Sequence, residues 1–453
     1  MSSISRRCFV KTLSASAALS TLSGQLSFAA PAQQKRPNLI YIMIDDAGYG
    51  DLSSYGRPDF QTPNLDALAT QGARFTQAYA AAPVCTPTRT AFVTGRYPQR
   101  TSVGLEEPID FKEGLGERIS SVGLEPDHPT VASLLKGAGY ETALLGKWHL
   151  GYEPQFGPNQ HGFDEFFGFL SGGVDYYSHT DGDGVLDLWE NDMPVERPGY
   201  LTDLLTERAL EYVSRPRNAP FFLSLQYNAP HWPWDTPTHD EEVFGFGGDR
   251  GGGSLAAYAE MMENLDTNIG KLVGTLREVG LEEDTLIIFT SDNGGERFSY
   301  NWPLSGEKFD LHEGGIRVPA IVRWLGVIPP GQVTEQVAVT MDWTATLLAA
   351  GGAEADPNYP LDGEDMLPVL VGHEVVRERT LGWRLSSTDQ GALRQGDWKY
   401  LRSGEDEHLY NLAEDVHEAA DYKDLEPETF TKLQAAYTAW NAELLPPLGQ
   451  EGA

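Results

Sequence analysis

Cys85 has no partner with which to form a disulfide. The chain holds two cysteines, and the other, Cys8, stands in an N-terminal segment expected to be cleaved. A lone thiol usually packs as a small buried hydrophobe, so any chemistry at Cys85 has to be argued from its neighbours. Asp45-Asp46 closes the apolar run 37–45, and Asp292-Asn293 closes the apolar run 285–292. Two adjacent aspartates are ordinarily a solvated turn or a helix cap. A matching acid-amide pair after a second buried strand argues against that, because ligands gather at the carboxyl ends of strands in open α/β sheets. Four hard oxygen donors suit Ca2+ or Mg2+ far better than Zn2+. Lys147 and His149 follow a third apolar run, 141–145, and His231 follows a fourth, 220–227. Taken singly, such a lysine reads as surface and such histidines as core.

The spacing around Cys85 changes that reading. Residues 85–96 read Cys-Thr-Pro-Thr-Arg-Thr-Ala-Phe-Val-Thr-Gly-Arg. They resemble the sulfatase signature C-x-P-S-R-x-x-x-L-T-G-R, in which the cysteine is oxidised after translation to formylglycine. Thr88 replaces the usual Ser and Val93 the usual Leu, while Cys85, Pro87 and Arg89 are intact. Gly146-Lys147-Trp148-His149-Leu150-Gly151 matches a second signature of that family. Asn228-Ala229-Pro230-His231, Gly306-Glu307-Lys308 and His312 to Pro319 match further blocks, and the blocks run in family order from about residue 37 to 415.

The resemblance implies a type I, formylglycine-dependent sulfatase, arylsulfatase-like, of the alkaline phosphatase superfamily. It assigns Asp45, Asp46, Asp292 and Asn293, with residue 85, to one divalent cation, Ca2+ ahead of Mg2+. Arg89 would acidify the hydrated aldehyde at residue 85. Lys147 and Lys308 would bind sulfate oxygens, His231 would protonate the leaving oxygen, and His149 would take the proton of the second hydroxyl. Ser178 stands where the family often has a serine near the sulfate, and His312 replaces the more usual aromatic, which sets it against substrate. Leu361-Asp362-Gly363 and Gly396-Asp397-Trp398-Lys399 resemble landmarks with structural roles.

The whole composition narrows the partners. Asp and Glu total 66 against 33 Lys and Arg, a formal charge of −33. Such a surface repels nucleic acid and anionic membrane, and a sulfate site on it must be a local cationic island. Two unit charges 4 Å apart interact by about 4 kcal/mol at an effective dielectric near 20, so two lysines and a metal outweigh a diffuse field. Ser5-Arg6-Arg7-Cys8-Phe9-Val10-Lys11, then an apolar run and small residues to Ala32, resemble a twin-arginine export signal. No other run approaches 18 apolar residues, so no membrane span is expected. The mature protein is expected in the periplasm or outside the cell. Export of folded cargo then places conversion of Cys85 in the cytosol, by a formylglycine-generating enzyme, before folding.

The elements that must position these residues alternate. Apolar runs at 37–45, 141–147, 220–228, 285–292 and 319–324 read as strands buried on both faces. Helical patterns cover 63–73, 129–137, 200–215, 254–280 and 340–351. The fold class is α/β: a large mixed, mostly parallel sheet sandwiched by helices. After about 375 the texture shifts to short strands at 379–385, 391–403 and 407–412, with a turn at Gly396-Asp397 and a helix over 427–444. The expected organisation is a signal segment (1–32), a catalytic domain (33–375) and a C-terminal α+β subdomain of antiparallel strands and a helix (376–453). Residues 171–200 read as a long functional loop and 246–253 as a flexible one.

Together these readings point to hydrolysis of a sulfated polysaccharide or oligosaccharide. Two alternatives stay open: a phosphonate monoester or phosphodiester hydrolase using the same modified cysteine, and a non-catalytic protein that binds sulfated glycans. A dinuclear zinc phosphatase would need more histidine ligands.

Overall fold

Every residue of Asn38–Ile44 (β1) is buried, and its side chains alternate between two cores. Ile40, Ile42 and Ile44 join one core with the helices Pro63–Gln71 (α1), Leu201–Ser214 (α4) and Leu255–Glu278 (α5). Leu39, Tyr41 and Met43 join the other with Cys85–Thr94 (α2), Val131–Gly137 (α3) and Thr340–Gly351 (α6). Period-two alternation with apolar residues on both faces is what a strand between two helical layers requires. The computed structural model describes residues 36–238 and 252–449, so the expected signal segment and most of the 246–253 loop lie outside the described residues.

The main sheet also contains Ala73–Tyr79 (β2), Glu141–Lys147 (β3), Glu165–Phe169 (β4), Trp189–Glu190 (β5), Met193–Pro194 (β6) and Phe221–Gln226 (β7). Thr285–Ser291 (β8), Arg317–Arg323 (β9), Gln332–Thr334 (β10) and Ala338–Val339 (β11) complete it. The order is β10-β2-β9-β8-β1-β7-β3-β4-β5-β6, with β11 also on β2. Five neighbours, β8-β1-β7-β3-β4, are mutually parallel, and β9 runs antiparallel to both β8 and β2. The carboxyl ends of β1, β3, β7 and β8 therefore share one edge. Asp45, His149, His231 and Asp292 all lie just beyond it.

The expected strands and helices form within a few residues of their anticipated ends. Among the elements not anticipated are β2, β4, α2 and the short strands β5, β6, β10 and β11. β2 interleaves buried residues with partly buried polar ones and β4 is short, so neither shows a long continuous apolar run. α2 carries Pro87 and four threonines, poor helix formers. Pro87 falls in the first turn, where it is tolerated, and all ten residues are buried. The 171–200 segment is mostly irregular, and its aspartates explain how it holds shape. Asp175 and Asp181 each accept two backbone N–H groups from residues two to four further on, the local bonding that favours Asp in turns, while Asp187 accepts those of Leu170 and Ser171 and ties the loop back to its start.

A second sheet runs Thr380–Leu385 (β12), Gln390–Gln395 (β13), Trp398–Ser403 (β14) and Asp406–Asn411 (β15), antiparallel and in sequence order. The turn expected at Gly396-Asp397 divides the 391–403 run into two antiparallel strands of a hairpin. Leu433 and Tyr437 of Pro427–Ala442 (α7) pack on this sheet. Lys399 on β14 reaches out of it and is wholly buried, with Nζ 2.9 Å from Glu313 and 2.8 Å from Glu418. Glu313 also accepts the Tyr79 hydroxyl at 2.5 Å. Burial alone would raise the Glu313 pKa, but Lys399, Arg317 and Arg394 hold it down to about 2. No helix among the described residues is long and apolar enough to cross a membrane.

Lys399→Met would strand two buried carboxylates. Removing one partner of a buried ion pair costs about 3–5 kcal/mol, and the urea unfolding curve of the variant is expected to move by that amount. A variant as stable as the parent would show that this contact does not hold the second sheet in place.

Candidate active site

Ile44 lies opposite Ser291 in the β1–β8 register, which sets the two acidic pairs side by side. Asp45, Asp46, Asp292 and Asn293 are all at most 2 % exposed. Asp46 adopts a left-handed backbone with φ 65°, a conformation in which Asp and Asn are enriched among non-glycine residues. Its N–H donates to Asp292 Oδ1 at 3.1 Å, and Asn293 Nδ2 donates to its Oδ1 at 2.8 Å. Oxygens of Asp45, Asp46 and Asp292 and the sulfur of Cys85 all lie within 4.8 Å of one another.

Three cations surround this group. Lys147 Nζ is 2.6 Å from Asp45 Oδ2, and Lys308 Nζ is 2.6 Å from Asp46 Oδ2. Arg89 reaches Asp292 at 2.9 Å and Asp45 at 3.6 Å. The charges still do not settle evenly. Burial, then the charge of Asp292, pushes the Asp45 carboxyl up to about 8 against the pull of Lys147 and Arg89. Burial would raise Asp46 as well, but Lys308, His231 and Lys147 overcome it and hold that carboxyl below the usual range. Crowded carboxylates of this kind cannot all ionise comfortably without more positive charge. Asn293 Oδ1 is buried with no hydrogen-bond partner. Clustered acidic oxygens plus one spare amide oxygen fit a hard divalent cation.

Cys85 is the first residue of α2, and its Sγ lies 3.5 Å from Asp45 Oδ1. Arg89 follows one turn later, so both side chains leave the same face of the helix. Arg89 also donates to Gln226 Oε1 at 3.0 Å and to the Lys147 carbonyl at 3.3 Å. Burial raises the Cys85 thiol pKa well above its ordinary value, although Lys147 and Lys308 pull the other way. A thiol held protonated is a poor nucleophile.

The chain leaves β3 through Gly146, at φ 111°, where a Cβ would sit 1.8 Å from the Gln226 carbonyl oxygen. Only glycine fits there. Three residues on, His149 takes a left-handed backbone with φ 57°. Its Nε2 lies 3.0 Å from the Ile109 carbonyl and must donate to it, which leaves Nδ1 buried and unpartnered. Burial and then Lys147 hold its pKa well below the ordinary value. His231 is wired the other way round. Nδ1 donates to the Trp232 carbonyl at 2.6 Å, and Nε2 is 3.6 Å from Asp46 Oδ2. Burial lowers its pKa to about 3, with Asp46 resisting and Lys308 and Lys147 reinforcing.

Cys85, His149, His231 and Lys308 line one cavity of about 370 Å³, together with Asp110, Phe111, Trp232, Glu296 and Phe309. Arg89, Lys147 and the acidic cluster are buried and do not line it. Two expected positions lie elsewhere. The Ser178 hydroxyl pairs with that of Thr180 at 2.8 Å, inside the turn tied by Asp175. His312 Nδ1 is held by Asp310 at 2.7 Å, beside Tyr410. Neither Ser178 nor His312 is among the residues that line this cavity, and each side chain is held by a local hydrogen bond. Phe309 and Glu296 were missed, although each lies within three residues of a recognised position. Asp110, Phe111 and Gln226 belong to no recognised block, and only the fold brings them in.

A family model described as Sulfatase matches residues 37–353. The chain belongs to the sulfatase family. It is 33% identical over 392 residues to N-acetylgalactosamine-6-sulfatase of Sus scrofa, covering 82% of this chain and 73% of that one. It is 35% identical over 421 residues to arylsulfatase A of Bos taurus, covering 83% and 76% respectively. Among solved structures, Ps i-CgsB in complex with k-i-k-neocarrahexaose matches with a TM-score of 0.81 and 31% identity, over 91% of this chain and 94% of that one. This sulfatase is accordingly a sulfuric ester hydrolase.

A cation that binds the acidic cluster should stabilise the folded sulfatase. Calcium at 100 times its Kd adds about 2.7 kcal/mol, which is expected to appear as a rise in Tm on adding calcium to chelator-treated protein. Asp46→Ala should lose that rise. The same rise in parent and variant would remove Asp46 from the ligand set.

Proposed function

We propose that this sulfatase cleaves sulfate esters of a sulfated polysaccharide or its oligosaccharides outside the cytoplasm. It does so through a formylglycine made from Cys85, with one calcium ion held by Asp45, Asp46, Asp292, Asn293 and residue 85. The observation that carries the reading is the meeting of Cys85, Lys308 and two oppositely wired histidines at one cavity, with the acidic cluster buried against Cys85 and Lys308. Once in place, the hydrated aldehyde supplies a nucleophilic hydroxyl and a second hydroxyl for expelling sulfate, while the cation supplies positive charge and acidity.

The chain's own groups take the remaining parts. Lys308 faces the cavity and opposes charge on the sulfate oxygens. Lys147 acts from behind Asp45, as a buried charge rather than a contact. Arg89 stands one helical turn from residue 85 and favours its ionised form. His149 keeps Nε2–H on the Ile109 carbonyl, so Nδ1 is the basic atom that accepts a proton from residue 85. His231 keeps Nδ1–H on Trp232 and presents Nε2 to the leaving oxygen. It is uncharged at rest, and the arriving anionic ester raises its proton affinity.

Burial of Cys85 also supports the timing of its conversion. At 2 % exposure within α2, the thiol cannot be presented to a second enzyme after folding. Cytosolic modification before twin-arginine export answers this. We read 33–375 as the catalytic domain and 376–453 as its C-terminal subdomain. A carbohydrate substrate is supported by Phe111, Trp232 and Phe309 around the cavity, and by the neocarrahexaose bound to a relative.

Mass spectrometry of exported protein is expected to find an aldehyde at residue 85. Cys85→Ala should abolish turnover with an unchanged circular dichroism spectrum; an unmodified thiol in active protein would overturn the proposal. His231→Ala should slow sugar sulfates by roughly 10²–10⁴ and activated aryl sulfates much less. Equal losses on both would remove its role as acid. Faster turnover of a phosphonate monoester or phosphodiester than of an aryl sulfate would reassign the substrate class.

A further inference from the structure

A second cavity, of about 340 Å³, is lined by residues that neighbour those of the catalytic cavity along the chain. Asp110 and Phe111 line the first cavity, and the next residue, Lys112, lines the second. The Tyr152 hydroxyl, in the second, donates to the Asp110 carbonyl at 3.2 Å. Gly172 lines the first cavity and Leu170 the second.

The lining has the chemistry of a sugar subsite. Lys112 Nζ lies 5.3 Å from the ring centre of Tyr152 and 6.0 Å from that of Trp189. Among the described residues it forms no salt bridge, in a chain with 66 acidic groups against 33 basic ones. The Trp189 ring is fixed, because its Nε1 donates at 2.7 Å to Asp187, which is buried and also holds the Leu170 and Ser171 N–H groups. Asn159, Glu153 and Asp192 supply amide and carboxylate groups. An aromatic face suits the C–H face of a pyranose, and a few polar groups in a pocket fix its orientation. The two acids accept sugar hydroxyls and repel any further anion, so an anionic substituent has one favourable place, at Lys112.

We infer that this cavity holds a further ring of the same sulfated oligosaccharide, with one anionic substituent of that ring on Lys112 and its face against Trp189. The inference rests on the sulfated-carbohydrate reading above. It makes the enzyme prefer oligosaccharides over single sulfated sugars, with the preference set outside the catalytic cavity.

The test compares 4-nitrocatechol sulfate with neocarra-disaccharide and neocarrahexaose sulfates, using the parent, Lys112→Ala, Lys112→Arg and Trp189→Ala. On the aryl sulfate, kcat/KM should stay within about twofold for every variant. On the hexasaccharide, Lys112→Ala and Trp189→Ala should each lower kcat/KM by about tenfold, mostly through KM, and Lys112→Arg should recover most of the loss. Equal losses on aryl sulfate and hexasaccharide, or none on the hexasaccharide, would overturn the inference. So would a parent enzyme that treats disaccharide and hexasaccharide alike. A parent that turns over aryl sulfate but not the hexasaccharide sinks this inference alone. A parent that turns over neither sinks the sulfatase mechanism beneath it.

Discussion

Three carboxylates buried within one cluster are the constraint to which the rest of the site answers. Taking even one charge out of water is costly, and an unpaired one is costlier still. Asp45, Asp46 and Asp292 persist because Lys147, Arg89 and Lys308 lie against them. Those cations come from three parts of the chain: the end of β3, the first turns of α2 and the segment before β9. No part can move without exposing or stranding a charge in another. The same logic recurs around Lys399, where two buried glutamates anchor the second sheet to the segment just after Lys308.

Such a cluster also sets the electrostatic character of the cavity. The molecule carries a formal charge of −33, yet the cavity is lined by Lys308 and backed by Arg89 and Lys147. A cation added to the three carboxylates leaves a net positive pocket in a negative surface. That is a selective place for an anionic ester, since the net field of the molecule repels anions at long range. The histidines differ from each other by wiring rather than by residue type. Ile109 takes the Nε2 proton of His149, and Trp232 takes the Nδ1 proton of His231. One imidazole therefore shows the site its Nδ1 and the other its Nε2. Both are neutral at rest because burial and nearby lysines disfavour the imidazolium.

Backbone geometry shows what the arrangement costs. Asp46, His149 and Phe309 all sit at positive φ, where residues with a side chain are uncommon. Strain of this sort survives only where surrounding structure over-determines it, and it gathers at functional sites. Asp46 is held from both sides by Asp292 and Asn293. His149 follows a glycine that cannot be replaced, because the Gln226 carbonyl occupies the space of a Cβ.

Much of this was legible in the residues themselves. Continuous apolar runs mark buried parallel strands, and acidic or basic residues directly after them mark the ligand-bearing edge. Those features, with the block around Cys85, pick out from sequence alone the α/β fold and the residues that meet at the strand ends: the acidic cluster, Cys85 and both histidines. What was not legible has a common cause. β2 and α2 owe their form to tertiary burial rather than to periodicity or propensity, so local pattern does not reveal them. Ser178 and His312 stand near the right blocks, but short-range bonds to Thr180 and Asp310 decide where they point. Asp110, Phe111, Gln226 and Lys112 reach the cavities from segments with no pattern of their own. Sequence determines which strand ends carry chemistry, because burial and charge are written residue by residue. Which other side chains meet there depends on distances between segments far apart in the chain, and only the packed structure sets those.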